Sequence, residues 1–336
     1  MSRASRLLAL AAGLALFAYF INHVGLEELA AYARQTGWML LPIFFLWIPI
    51  YACSAAAWRL ILAHEPDCPG FGRLFAAIVS GSAINYITPF FAVGGEPFKA
   101  TVAAEWLQSR RRAAASVVIQ RLLFTLAHLL SMILALMLGV LLLPHNPRTL
   151  LMLVGFSLAV GILAFLVFLV HRRGLMERCL DLAHRIPGLR RLARSVEPRR
   201  EALIEMDTQI TDFYHRTPVR FWWAFVFEFL GRGLTMAEFL LIPISVGVRV
   251  TYPEAYLIGG FASLVGVMLF VFPFEMGTKE GGLYTVFKLL GLNPSLGIYS
   301  AVICRVRELA WIAVGLVLIA LIPGGRPALR TVETQG

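Results

Sequence analysis

Apolar residues fill the chain in long unbroken runs rather than in strand-like alternation. Leu7–Ile21, Trp38–Leu62, Ala113–Leu143, Leu150–Val170, Phe221–Val246 and Leu296–Ile322 read as six spanning helices, since a helix needs roughly 20 largely apolar residues to cross a bilayer. Leu7–Ile21 is short but extends into its flanks. It follows Arg3 and Arg6 like a signal peptide, yet meets Asn22 and His23 instead of a small-residue cleavage site, so it reads as a retained first helix. Trp38–Leu62 is interrupted by Pro42 and Pro49. The segments between spans (22–38, 144–149, 248–254 and 291–294) read as outside loops.

Two further apolar stretches are broken in the middle. Leu74–Val93 stops at Gly94-Gly95-Glu96-Pro97 and resumes as Phe98–Leu107; Ala255–Phe272 stops around Pro273–Gly282 and resumes as Leu283–Leu290. Each second arm has only about 8–12 residues, too few to cross at 1.5 Å per residue. Both stretches, 74–108 and 255–290, therefore read as re-entrant hairpins. Irregular backbone at that depth is tolerated only under a cover of protein or a watery cavity.

Composition agrees. Hydrophobic residues make up 59% of the 336 residues and charged residues 15%, against about 45–50% and 25% in soluble domains; mean hydropathy is +0.75. This excludes a soluble enzyme, a disordered chain and a nucleic-acid-binding domain. The net charge of +10 comes from 27 Arg and three Lys against 20 acids. With the N-terminus inside, 20 Arg fall in cytoplasmic segments, three in outside loops (Arg34, Arg148, Arg249) and four in spans (Arg121, Arg232, Arg305, Arg307). Such asymmetry orients a membrane protein with both termini in the cytoplasm. The segment 171–220 holds 11 of those Arg and seven acids, and reads as amphipathic surface helices against anionic headgroups or as a solvated linker. Cys53, Cys68, Cys179 and Cys304 show no metal-ligand or disulfide spacing. No cofactor is implied.

A shift of 184 residues superimposes the two hairpins: Pro89-Phe90 on Pro273-Phe274, Glu96 on Glu280, Val118-Ile119 on Val302-Ile303, Arg121 on Arg305, and Trp38 on Trp222. In both halves an Arg follows the Glu after 25 residues. The chain thus reads as an all-α polytopic membrane protein with an inverted repeat, 1–143 and 144–336. Each half runs helix, helix, re-entrant hairpin, helix. Inverted repeats with broken helices build transporter sites near the midplane.

The candidate site follows from the hairpin tips. Gly94 and Gly95 are expected to permit a sharp turn, and Pro97 suits the first helical position. The free N–H groups of the helices that follow form an anion site, beside Lys99, Thr278 and Lys279. Glu96 and Glu280 can cap those helices, pair with a cation or carry protons. Arg121 and Arg305 suit a phosphate or carboxylate because a guanidinium binds either bidentately. Ionisable groups cost about 2.5–3.5 kcal/mol at midplane, so Glu228 and Arg232 (four apart), Arg305 and Glu308 (three apart), and Arg121 and His128 (seven apart) are expected to face the interior and partner one another, with Glu238 a weaker candidate. Cross-half pairs, Glu96–Arg305 and Glu280–Arg121, are the expected arrangement. Lys99, Lys279 and Lys288 all lie in tips or second arms.

The stretch from Ile87 to Lys99, Ile-Thr-Pro-Phe-Phe-Ala-Val-Gly-Gly-Glu-Pro-Phe-Lys, resembles the first motif of the lysylphosphatidylglycerol synthase transmembrane family. Pro273–Gly282, the Leu-Gly-Leu of 290–292 and Arg305 are similar to its second motif, and the likeness spans about residues 5–323. Met276-Gly277-Thr278-Lys279 departs from the family's Gly-rich Arg-Glu form, with Lys in the Arg place. The resemblance implies a flippase-like protein of the bacterial inner membrane without a soluble aminoacyltransferase domain, with Glu96, Lys99, Arg121, Glu280 and Arg305 as functional positions. It also implies an aminoacylated phospholipid, hopanoid or glycolipid as cargo. Two other classes stay open: a lipid-modifying enzyme, for which no zinc, Asp-rich or phosphatase motif is present, and a membrane anchor for a lipid-synthesising partner enzyme held by 171–220. Membrane phospholipids are the expected partners. No ATP-binding loop occurs, so transport would draw on a gradient or run downhill.

Overall fold

Proline, glycine and charged turns cut the apolar runs into helices in the computed structural model, which describes residues 24–88, 94–172, 217–268 and 277–322 together with Tyr19 and Asn22. The expected first span Leu7–Ile21, most of the segment 171–220, and both Pro-Phe tips lie outside the described residues. The helices are α1 (Leu26–Thr36), α2 (Leu40–Phe45), α3 (Trp47–Leu62), α4 (Phe71–Ile87), α5 (Gly95–Leu107), α6 (Arg110–Leu142), α7 (Pro147–Arg172), α8 (Pro218–Ser245), α9 (Tyr252–Met268), α10 (Thr278–Leu289) and α11 (Pro294–Leu321), with a 3₁₀ turn at Gly37–Met39. No strand occurs among the described residues.

The ends follow local chemistry. Ser109 caps α6 by accepting from the Arg112 N–H, and Asn293 caps α11 by accepting from the Ser295 N–H. Pro218 and Pro294 sit in first turns, where a missing N–H costs nothing. The α2–α3 break falls where Pro49 has no N–H for the Phe45 carbonyl. Residues 22–38, expected as an outside loop, instead hold α1. Its run from Leu26 to Thr36 lacks Gly and Pro, with Glu27 and Glu28 in the first turn and Arg34 in the last, as the helix dipole favours.

Helix lengths fall into two groups. α6, with 33 residues, is about 50 Å long, and α8 and α11, with 28 each, about 42 Å. By contrast α4 and α9 have 17 residues, α5 has 13 and α10 has 12; each is shorter than the roughly 30 Å hydrocarbon layer. The run Leu26–Leu62 and α6 are each long and apolar enough to cross a membrane.

The packing repeats with the 184-residue shift. α4 packs on α5 as α9 packs on α10; α5 lies on α6 as α10 lies on α11; α4 lies on α11 as α9 lies on α6; and α3 and α8 lie on each other. The two exchanged crossings are close because each has a glycine. A Cβ on Gly315 would sit 2.4 Å from the Ala83 Cβ, and one on Gly260 would sit 2.2 Å from the Ala135 Cβ. One apolar core gathers around α9–α11 (Ile258, Phe287, Tyr299), another around α3, α4 and α6 (Trp58, Leu74, Leu123).

Polarity runs opposite to that of a soluble protein. Leu141, Leu151, Leu309 and Val317 are exposed, whereas Lys99, Glu228, Glu238, Glu280 and Arg307 are buried. Large contiguous apolar exteriors are uncommon on soluble monomers, and ionisable groups are rarely inside unless paired. Trp38, Trp222 and Trp223 are exposed, as side chains of an interfacial belt are.

Candidate functional site

The second arm of each hairpin begins with its acid. α5 starts at Gly95, so Gly95, Glu96 and Pro97 form its first turn and not the break expected there. The first-turn N–H groups lack intrahelical acceptors in any helix, so a proline in third position forfeits nothing. Gly94 lies in the ordinary right-handed helical region; the glycine pair is needed for close approach and not for a turn. A Cβ on Gly95 would fall 2.1 Å from the Gly81 carbonyl oxygen of α4. The Gly95 N–H donates to Asn85 Oδ1 at 2.7 Å, tying the two arms together. α10 likewise starts at Thr278, inside the expected break, and there the turn does use glycine freedom: Gly277 has φ +76°.

In the first half Arg121 Nη1 donates to Glu96 Oε1 at 3.2 Å, and Lys99 Nζ lies 3.7 Å from the same oxygen. Lys99 also donates to Gln120 Oε1 at 2.9 Å, Gln120 Nε2 donates to Glu228 Oε1 at 2.9 Å, and Ser54 Oγ donates to Glu228 Oε2 at 2.8 Å. A continuous polar chain thus runs Arg121–Glu96–Lys99–Gln120–Glu228–Ser54 through α6, α5, α8 and α3. Farther along α6, the His128 ring meets the Arg232 guanidinium of α8. Arg121 and Arg232 both lie against Phe124, at 5.4 and 5.1 Å from its centroid.

In the second half Glu280 does two jobs. Its Oε2 accepts from the Gly277 N–H at 2.8 Å, capping α10, and its Oε1 accepts from Arg305 Nε at 2.7 Å. Lys279 Nζ donates to Glu308 at 2.8 Å. Arg307 holds Glu238 with two parallel bonds, 2.9 and 3.0 Å, lies 3.5 Å from Glu308, and stacks 3.8 Å over the Trp47 ring. Bidentate geometry makes this the strongest kind of carboxylate pair.

These pairings correct the expected cross-half arrangement. Glu96 pairs with Arg121 and Glu280 with Arg305, each within its own half. The reason is helix geometry. Glu96 and Arg121 stand equally far from the Gln108-Ser109 turn, so antiparallel α5 and α6 bring them side by side; Glu280 and Arg305 do so around the turn at 291–293. The same-face pairs are also redistributed. Glu228 bonds Gln120 and Ser54 and not Arg232, Arg232 meets His128, and Glu308 bonds Lys279. A residue's i+4 neighbour lies along its own helix, while the helix packed opposite offers partners head-on.

The two acid–arginine pairs differ in access. The Arg121 side chain is 47% exposed and Glu96 18%, whereas Arg305 is 17% and Glu280 0%. Gln120, Ser54, Asn85 and Phe124 join the first cluster without a sequence signal; neutral polar and aromatic residues are ordinary within helices. Arg307 carried a signal as an ionisable residue within a span.

An exterior of apolar helices around buried ion pairs defines an all-α membrane protein. The chain belongs to the family described as Lysylphosphatidylglycerol synthase TM region, whose model matches residues 6–317. Neither a curated protein nor a solved structure matches it. Membership sets the function among membrane-lipid proteins.

Proposed function

We propose that this protein moves a lipid with an anionic or aminoacylated headgroup, a phospholipid, hopanoid or polyprenyl-linked glycolipid, between the leaflets of the bacterial inner membrane, acting as a transporter and not as an enzyme. The observation that carries the reading is the repeated acid–arginine pair, Glu96–Arg121 and Glu280–Arg305, one open and one closed. In this reading α4–α5 and α9–α10 are re-entrant hairpins of an inverted repeat, entering from opposite sides, alongside about six spanning helices. Paired packing relations under the 184-residue shift support that. Alternating access then amounts to exchange of the two halves' conformations, so the pair that is open in one state is closed in the other. A headgroup docks at the open pair, where the half-exposed Arg121 offers a bidentate donor face and Glu96 can release it. The Arg-rich segment 171–220 faces the cytoplasm in this scheme and is the natural contact for anionic lipid or a lipid-synthesising enzyme.

Two measurements test it. Glu96→Gln in proteoliposomes should keep the protein folded and lower transfer of a fluorescent phosphatidylglycerol to the protein-free rate; wild-type transfer would remove Glu96 from the route. Single cysteines at exposed positions beside the two corresponding turns, Arg110→Cys and Asn293→Cys, should label from opposite sides of the membrane with an impermeant maleimide. Labelling of both from one side would overturn the inverted repeat.

A further inference from the structure

The two charged clusters differ in their ion count. In the second half Lys279, Arg305 and Arg307 face Glu308, Glu280 and Glu238, cation for anion. In the first cluster, which α8 joins from the second half, Lys99, Arg121 and Arg232 face only Glu96 and Glu228 among the described residues. The unmatched cation is Arg232. Its neighbours are the His128 ring and Phe124, no carboxylate lies within ion-pair distance among the described residues, and its Nε is buried without a hydrogen bond. A guanidinium only donates, so the imidazole nitrogen facing it must accept, and His128 cannot supply the missing negative charge.

Arg232 is the fifteenth of 28 residues in α8, and His128 the nineteenth of 33 in α6. Arg232 is therefore about 20 Å from either end of its helix, and His128 at least about 20 Å from either end of its own. A lone cation at that depth is expensive and marks a ligand path by default. We propose that Arg232 and His128, with Arg121 on the same aromatic ring, seat a phosphate oxyanion whose single negative charge closes the count of the first cluster. The proposal rests on the transport reading and gives it a binding point: the phosphate leaves the half-exposed Arg121, passes Phe124 and docks at Arg232. Arg supplies fork geometry to two oxygens, and His128 holds the guanidinium in place through its ring edge, both nitrogens facing Arg232 Nη2. The self-neutralised second cluster offers no equivalent seat in this state.

Equilibrium binding to the full-length protein tests this without any transport step. The probe is phosphatidylglycerol with brominated chains, read by quenching of intrinsic tryptophan, against brominated diacylglycerol and with inorganic phosphate as competitor. Arg232→Gln should raise the phosphatidylglycerol Kd by about tenfold or more, as expected for loss of a charge-assisted bond, and leave diacylglycerol unchanged. His128→Glu gives a second variant that needs no loss of packing. It places a carboxylate against Arg232, closes the charge count internally, and should fold while losing the phosphate-dependent part of binding. Displacement by millimolar inorganic phosphate would name the free ion as occupant; no displacement would name the lipid. Wild-type phosphatidylglycerol affinity in folded His128→Glu overturns the site and leaves the transport reading standing. Loss of affinity in that variant, with no lipid transfer by the wild type, keeps the site and removes the transport reading.

Discussion

Arg307→Met is expected to destabilise the protein by about 3–5 kcal/mol, the cost of removing one partner from a buried ion pair, measured by thermal or denaturant unfolding in detergent. Glu238 is buried and receives both of its charge-assisted bonds from Arg307. Glu238→Leu should cost less, because Arg307 retains Glu308 at 3.5 Å and the Trp47 face. The double variant should recover most of the loss, since two apolar side chains replace a pair whose desolvation offsets much of its attraction. Additive losses in the cycle would show that the two side chains do not act as a pair. Neither residue belongs to the acid–arginine pairs of the proposed route, so folded variants should still move lipid.

That prediction bears on how a chain with ten excess positive charges keeps charge inside a membrane. Most of the Arg lie between the apolar runs. The charges of the second cluster are closed locally: Glu280 on Arg305 and on its own helix terminus, Glu238 on Arg307, Glu308 on Lys279. Each closure uses neighbouring helices of one half joined by a short turn, or the α8–α11 contact. Pairs between residues equidistant from a tight turn form with little loop-closure entropy, which favours them over cross-half partners.

The all-helical class and the two broken segments were legible because apolar runs and Gly/Pro breaks are local features of the chain. The 25-residue spacing from Glu to Arg was legible for the same reason. Its meaning was legible too, had the spacing been read as an antiparallel hairpin centred on the turn at 108–109. The starts of α5 and α10 were less so: Gly-Gly-Glu-Pro and Gly-Thr-Lys-Glu look like loop, yet a first turn needs no N–H bonds and tolerates those residues. Helix α1 was hidden because a polar, alanine-rich run next to a long span resembles a connecting loop in hydropathy. Gln120 and Ser54 were not legible at all. Their role depends on rotation of α6 and α3 about their axes, which sets which neutral side chain meets Glu228.

Glu280→Ala should combine a fold defect with a transport defect, whereas Glu96→Ala should give only the second. Removing the Glu280 carboxylate takes away the Arg305 guanidinium's buried counter-charge and leaves the Gly277 N–H without its acceptor. A broken buried pair costs about 3–5 kcal/mol and a lost helix cap about 1 kcal/mol more. Glu280→Gln keeps one acceptor oxygen for the cap but turns its NH2, a donor, toward the Arg305 guanidinium and deletes the charge, so it should recover the cap's share alone and remain inactive. At Glu96 the geometry predicts the reverse. Arg121 is half-exposed and loses little when its partner goes, by the ordinary measure of exposed pairs of up to about 1 kcal/mol, and Lys99 keeps Gln120. Unfolding midpoints of the three variants, measured beside lipid transfer, separate the two roles. Equal destabilisation by Glu96→Ala and Glu280→Ala would contradict the difference in burial between the pairs. A fully active Glu280→Gln would make that residue a structural cap alone and confine lipid handling to the first half.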